Sequence, residues 1–118
     1  MRNKAGQFVK ASPQTVARAG QDAAAELSGD VLKANLWNRS GRDVYPISSF
    51  TYLIAYKDLR NVKTPQEAQA IVDFFAFAVH DGQVLAPGLF YAPLAPAVQK
   101  KVDAALNDFT FHGQPIRP

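Results

Sequence analysis

Six consecutive residues, Thr51-Tyr52-Leu53-Ile54-Ala55-Tyr56, constrain this chain more than any other stretch. Side chains of a strand point alternately to opposite faces, so a half-buried strand alternates apolar with polar residues. This run is apolar on both faces from Tyr52 to Tyr56. It reads as a strand covered on both sides within a larger sheet. The residues before it, Tyr45-Pro46-Ile47-Ser48-Ser49, are more polar and carry a proline. The same strand therefore begins where the backbone bends and water enters.

The chain around this strand has 118 residues, enough for one modest core. Hydrophobic residues make up 47% and charged residues 19%, an ordinary globular balance rather than a disordered one. There is no run of eighteen apolar residues that would span a membrane. Residues 1–20 hold Arg2, Lys4, Lys10 and Arg18 but lack the apolar centre of a signal peptide. The expectation is a cytosolic protein, or a mature or excised piece of a secreted one. Cysteine is absent, which excludes disulfides, thiol catalysis and cysteine-ligated metal.

Several elements announce themselves at their ends. Ser12-Pro13 places a capping serine before a proline at the first helical position, which predicts a helix over residues 13–27. Its face is made of small residues, with Gly20 in the middle, and suits close packing. Thr64-Pro65 with Glu67 predicts a second helix through a capping box. Ala68, Ile71, Val72, Phe75, Ala78 and Val79 form its face; Phe74 and Phe77 widen it, so the helix is expected to be heavily buried. A third helix over 95–109 carries the stripe Val98, Val102, Ala105, Leu106 and Phe109. Residues 7–10 read as a short edge strand. Residues 31–37 alternate as a half-buried strand, and 45–56 is the long strand already described. A turn falls at His112-Gly113. The fold class is α/β, a small mixed sheet with flanking helices. The helices present more apolar surface than this chain can cover, which points to a missing partner surface.

No catalytic or metal-binding constellation emerges. Ser48, Ser49, His80, Asp81 and His112 lack the glycine-flanked nucleophile turn of a hydrolase. Two histidines without ligand spacing do not form a zinc site. The glycine turns "NKAGQF" and "NRSGRD" could cradle an anion through backbone N–H groups, but neither matches a phosphate-binding loop. Trp37, Tyr45 and Phe50 read as packing aromatics before ligand-stacking ones. The net charge of +3 is concentrated early: residues 1–42 hold seven Lys/Arg against three Asp/Glu, and 43–118 hold six against seven. The basic residues are scattered and not interleaved with aromatics, so they read as a solvated face and not as a nucleic-acid surface.

Three segments, "NKAGQFVKASPQTV", "LWNRSGRDVYPISSFTYLIAYKD" and "VDFFAFAVHDGQVLAPGLFYAPLAPAVQKKVDAAL", together resemble the C-terminal portion of the phosphate-binding protein of phosphate ABC transporters. That family is a type II periplasmic binding protein. The most specific block is Gly41-x-Asp43-x-Tyr45-Pro46-Ile47-x-Ser49-Phe50-Thr51, followed by Gly82-Gln83 and Tyr91-Ala92-Pro93-Leu94. Leu89-Phe90-Tyr91 departs from the family's usual Leu-Gly-Tyr, and Ala95 stands where proline is common.

The resemblance implies a partial two-lobed fold. Residues 1–40 would end the second lobe, and 41–118 would be the hinge crossover strand and the C-terminal part of the first lobe. It also implies phosphate as ligand of the complete protein, an N-terminal portion of the fold, and an ABC permease as partner, in the periplasm or outside the cell. The family's phosphate ligands lie in its N-terminal two-thirds, so the phosphate-binding residues of this chain stay unknown; Ser48, Ser49 and Thr51 are not assigned to that role. No enzyme activity and no cofactor are implied. The alternative is a self-contained interaction or structural module, a homo-oligomer reusing the same scaffold.

Overall fold

The computed structural model describes residues 1–29 and 31–117. Three α-helices form: α1 (Pro13–Ala23), α2 (Pro65–Val79) and α3 (Pro96–Asn107). Each begins with proline at its first position, where the missing N–H costs nothing. The Ser12 hydroxyl accepts from Thr15 N–H, and the Thr15 hydroxyl returns the bond to Ser12 N–H. Thr64 caps α2 by accepting from Glu67 N–H. Glu67 itself reaches one residue further than a capping box requires, to Lys63 N–H at 2.8 Å. Single 3₁₀ turns extend α1 (Ala24–Glu26) and join α2 to α3 (Asp81–Leu85, Pro87–Leu89).

The sheet is smaller than expected and lies elsewhere. Strands β1 (Thr110–Phe111) and β2 (Gln114–Pro115) form a hairpin, and Asp58 adds one parallel bridge to Thr110. Helices and a small mixed sheet are thus both present. The hairpin turn is the predicted His112-Gly113; both residues have positive φ, as a two-residue hairpin loop requires. Residues 7–10 contribute a single antiparallel bridge, Arg2 to Phe8, around the Gly6 turn.

Residues 31–37 and 45–56 join no ladder, which corrects the reading of both as strands. The burial of the first still follows the predicted alternation: Leu32, Ala34 and Leu36 turn inward, while Val31, Lys33 and Asn35 face solvent. The periodicity reports burial, whereas a strand also needs a neighbour to accept its hydrogen bonds.

Two cores lie apart along the molecule. In the first, Ala19 and Ala23 of α1 pack with Leu36 and Val44, and Ala24 and Leu27 pack with Ala95 and Val98. Ala34 and Phe50 touch both groups. In the second, Ala68 and Val72 of α2 pack with Leu59 and Leu106. Helix α3 joins them, with Val98 in the first core and Leu106 in the second. The radius of gyration is 16.2 Å and the extents are 52 × 28 × 20 Å. A compact domain of this length would have a radius of about 13.5 Å, so the molecule is elongated.

The second helix is less buried than its sequence suggests. Phe74 and Phe77 are 58% and 50% exposed, because α3 and the hairpin cover only the side of Ala68, Val72 and Val79. The stretch 51–57 is exposed throughout, and Ile54 reaches 93%.

Candidate functional site

The two glycine turns that could hold an anion are drawn together, but against each other. Asn3, 5% exposed, sends its Nδ2 to the carbonyls of Arg42 at 2.7 Å, Val44 at 3.1 Å and Gly41 at 3.3 Å. Its Oδ1 accepts from Gln7 N–H and closes the first turn. One amide side chain therefore clasps "NKAGQF" to "NRSGRD". The clasp was not legible in the sequence beyond the general tendency of asparagine to tie turns.

The basic residues at this junction are engaged locally. Arg39 donates to Glu26, to Asn35 O and to Asp22 O. Arg18 pairs with Asp43 at 3.1 Å. Such bonds hold the loop on α1 and its 3₁₀ extension. Gly41 is required by the same closeness: a Cβ there would stand 2.6 Å from Val44 Cγ2 and 2.8 Å from Asp22 Oδ2.

The hydroxyls and histidines considered for catalysis are dispersed. Ser48 is 4% exposed and donates to Tyr45 O at 2.9 Å; Ser49 donates to Phe50 O. His80, at the end of α2, meets Asp103 of α3 through Nε2 at 2.7 Å. The His112 ring lies edge-on to Phe111, and its backbone N–H bonds Asp58. Among the described residues no group of three or more His, Cys, Asp or Glu could hold a metal ion. Of the three aromatics, Phe50 packs in the core and Tyr45 is half-buried. Trp37 is 71% exposed, which corrects its reading as a packing residue.

Asp58 is the most perturbed acid. Hydrogen bonding from the Arg60 guanidinium at 2.6 Å is the main cause that lowers its pKa from 3.8 to about 2, and the His112 and Arg60 backbone N–H groups act in the same direction. The pair raises the pKa of Arg60 in turn. Asp58 also accepts from Gly113 N–H at 3.1 Å, so one carboxylate fastens the hairpin turn to the end of the exposed segment. It is an anchor within the fold. Among the described residues the widest opening is a groove of about 460 Å³ between α1 and the stretch before α3, walled by Gln14, Ala17, Arg18, Pro93, Leu94 and Pro96. No helix is long and apolar enough to cross a membrane.

What remains unexplained within the chain is a long exposed apolar segment beside two cores, with no assembled reaction site. That is the profile of a binding scaffold rather than of an enzyme centre. No family model matches the chain, and no solved structure does. The phosphate-binding protein PstS of Pasteurella multocida (strain Pm70) is 32% identical over 104 residues, covering 88% of this chain and 29% of that relative. PstS of Xylella fastidiosa (strain 9a5c) is 29% identical, with 88% and 28% covered. PstS of Methanocaldococcus jannaschii is 33% identical, with 79% and 26% covered. The chain is similar to phosphate-binding proteins, as its motifs indicated. More narrowly, it resembles the C-terminal portion of PstS. It spans about three-tenths of the length of these relatives.

Proposed function

We propose that this chain is the C-terminal segment of a phosphate-binding receptor serving an ABC transporter, and that it supplies scaffold and hinge rather than the ligand site. Residues 1–40 end the second lobe of a type II periplasmic binding fold, and 41–118 provide the crossover strand and the end of the first lobe. The observation that carries this reading is the similarity to PstS over 88% of the chain, joined to the apolar segment that nothing within the chain covers. The rest of the fold supplies strands beside 51–56 and a cover for Phe74 and Phe77. Phosphate is held in that other part by charge-assisted hydrogen bonds. The lobes close by bending at the proline-containing end of the crossover, and the receptor hands phosphate to a permease in the periplasm or outside the cell. No bond is made or broken, so the role is not enzymatic.

Calorimetric titration with inorganic phosphate tests this. The chain alone gives no binding heat. Mixed with the N-terminal portion of a PstS relative that lacks the matching segment, it gives one-site binding. Binding by the chain alone would overturn the scaffold role, and a silent mixture would overturn the assignment to a phosphate receptor.

A second reading is a self-contained oligomeric module. It is favoured by the satisfaction of the interior: among the described residues every buried side-chain nitrogen and oxygen has a hydrogen-bond partner. A cooperative unfolding transition of the isolated chain, unmoved by phosphate, supports that reading.

A further inference from the structure

The segment 51–57 is exposed along its whole length, with Tyr52 at 46%, Leu53 at 56%, Ile54 at 93% and Tyr56 at 74%. Among the described residues no backbone hydrogen bond joins 51–56 to another part of the chain. Unpaired strand edges with apolar side chains are templates for a second strand. The sequence indicates which strand fits. Tyr52-Leu53-Ile54-Ala55-Tyr56 reads nearly the same in both directions about Ile54.

We propose that a second copy of this chain pairs with the segment, antiparallel and two-fold symmetric about Ile54. Tyr52 of each copy then stands opposite Tyr56 of the other, and the two Ile54 residues meet at the axis. All of these lie on one face, because alternate residues share a face. Aromatic and β-branched cross-strand pairs are among those that hold antiparallel strands together. Charge selects the direction. Antiparallel pairing sets Lys57 against Thr51 and Asp58 against Phe50. Parallel pairing in register would set Lys57 on Lys57 and Asp58 on Asp58, and like charges directly opposite are destabilising. The contact is isologous, so one patch serves both copies and the assembly closes at two. One short strand pair covers less area than a permanent interface, so the dimer forms with rising concentration and dissolves on dilution. The inference goes beyond the receptor role and does not rest on phosphate.

The absence of cysteine makes the test direct. Ile54→Cys places two thiols across the axis. Paired antiparallel residues have Cα atoms about 4.5–5.5 Å apart, inside the range a disulfide bridges. Mild oxidation with diamide therefore yields a disulfide dimer at twice the chain mass. Tyr52→Cys alone does not cross-link, since its two copies lie about 13 Å apart along the strands. Mixed with Tyr56→Cys, it does. Sedimentation of the unmodified chain gives an independent reading: mass rises with concentration, and Ile54→Pro, which removes the central donor, stays monomeric. Equal cross-linking at 52 and 54, or a monomer at every concentration with no cross-link at 54, overturns the proposal.

Discussion

Gly20 of α1 and Phe50, just before the exposed segment, lie so close that a methyl group on Gly20 would stand 3.3 Å from Phe50 Cε1. Val98 Cγ2 would be 3.7 Å away on the other side. The glycine lets α1, α3 and the crossover meet. Two effects oppose each other at this position. Alanine gains about 1 kcal/mol of helix propensity over glycine, and a half-buried Phe50 ring can shift by a few tenths of an ångström. Gly20→Ala is therefore expected to leave stability nearly unchanged. Gly20→Val adds bulk that the ring cannot escape and should cost about 1–3 kcal/mol. Urea midpoints of the two variants check the contrast.

Phe90 has φ 61° and ψ 26°, the left-handed region, at the close of the 3₁₀ turn Pro87–Leu89. This is the residue where the resembled family carries glycine. The ring is fully exposed, so it gains no burial in return. A side chain in this conformation costs roughly 1–2 kcal/mol, partly offset by the greater chain entropy of glycine when unfolded. Phe90→Gly should raise stability by up to about 1 kcal/mol. Phe90→Ala, which keeps the Cβ, should not. Thermal midpoints measured side by side separate the two.

Asn3→Ala would leave the carbonyls of Arg42 and Val44 without their donor, at a cost of about 1–3 kcal/mol. Asn3→Asp should be worse, because it presents an acceptor to the same carbonyls. Hydrogen exchange at Gln7 gives a local readout, since its N–H bonds Asn3 Oδ1 in the parent.

Asp58 carries an acid-sensitive part of the stability. Its pKa is lower folded than unfolded, so the ionised carboxylate stabilises the fold at neutral pH. The contribution is complete above the ordinary value of 3.8 and fades as pH falls towards about 2. Asp58→Asn should unfold more easily at pH 7 and show a flatter loss of stability between pH 4 and pH 2. Denaturant midpoints across that range measure it.

The helices were legible because their signals are local. Ser12-Pro13 and Thr64-Pro65 fix two starts within one turn of chain, and the structure places both there. The strands were not, because pairing depends on a neighbour that the periodicity of a single segment does not specify. Residues 31–37 keep the alternation without a ladder, and 51–56 keep the strand pattern without partners. Phe74 and Phe77 were read as buried for the same reason: their apolar spacing calls for a cover that the chain does not contain. Of the candidate site, sequence excluded a hydrolase from the missing motifs. It could not foresee the Asn3 clasp, whose partners lie about forty residues away. It also passed over Asp58, whose closeness to Arg60 was the available signal.

The bare segment is also the covalent thread between the two cores. A protease that cuts beside Tyr52 or Tyr56 meets an open backbone and divides the chain into two fragments. The fragments remain clipped together, because Ala95 and Val98 from the C-terminal fragment pack on Ala24 and Leu27 of the N-terminal one. Nicking thus turns one polypeptide into a non-covalent heterodimer held at the first turns of α3. The break falls where the molecule can be lengthened, interrupted or re-spliced at least cost to its packing.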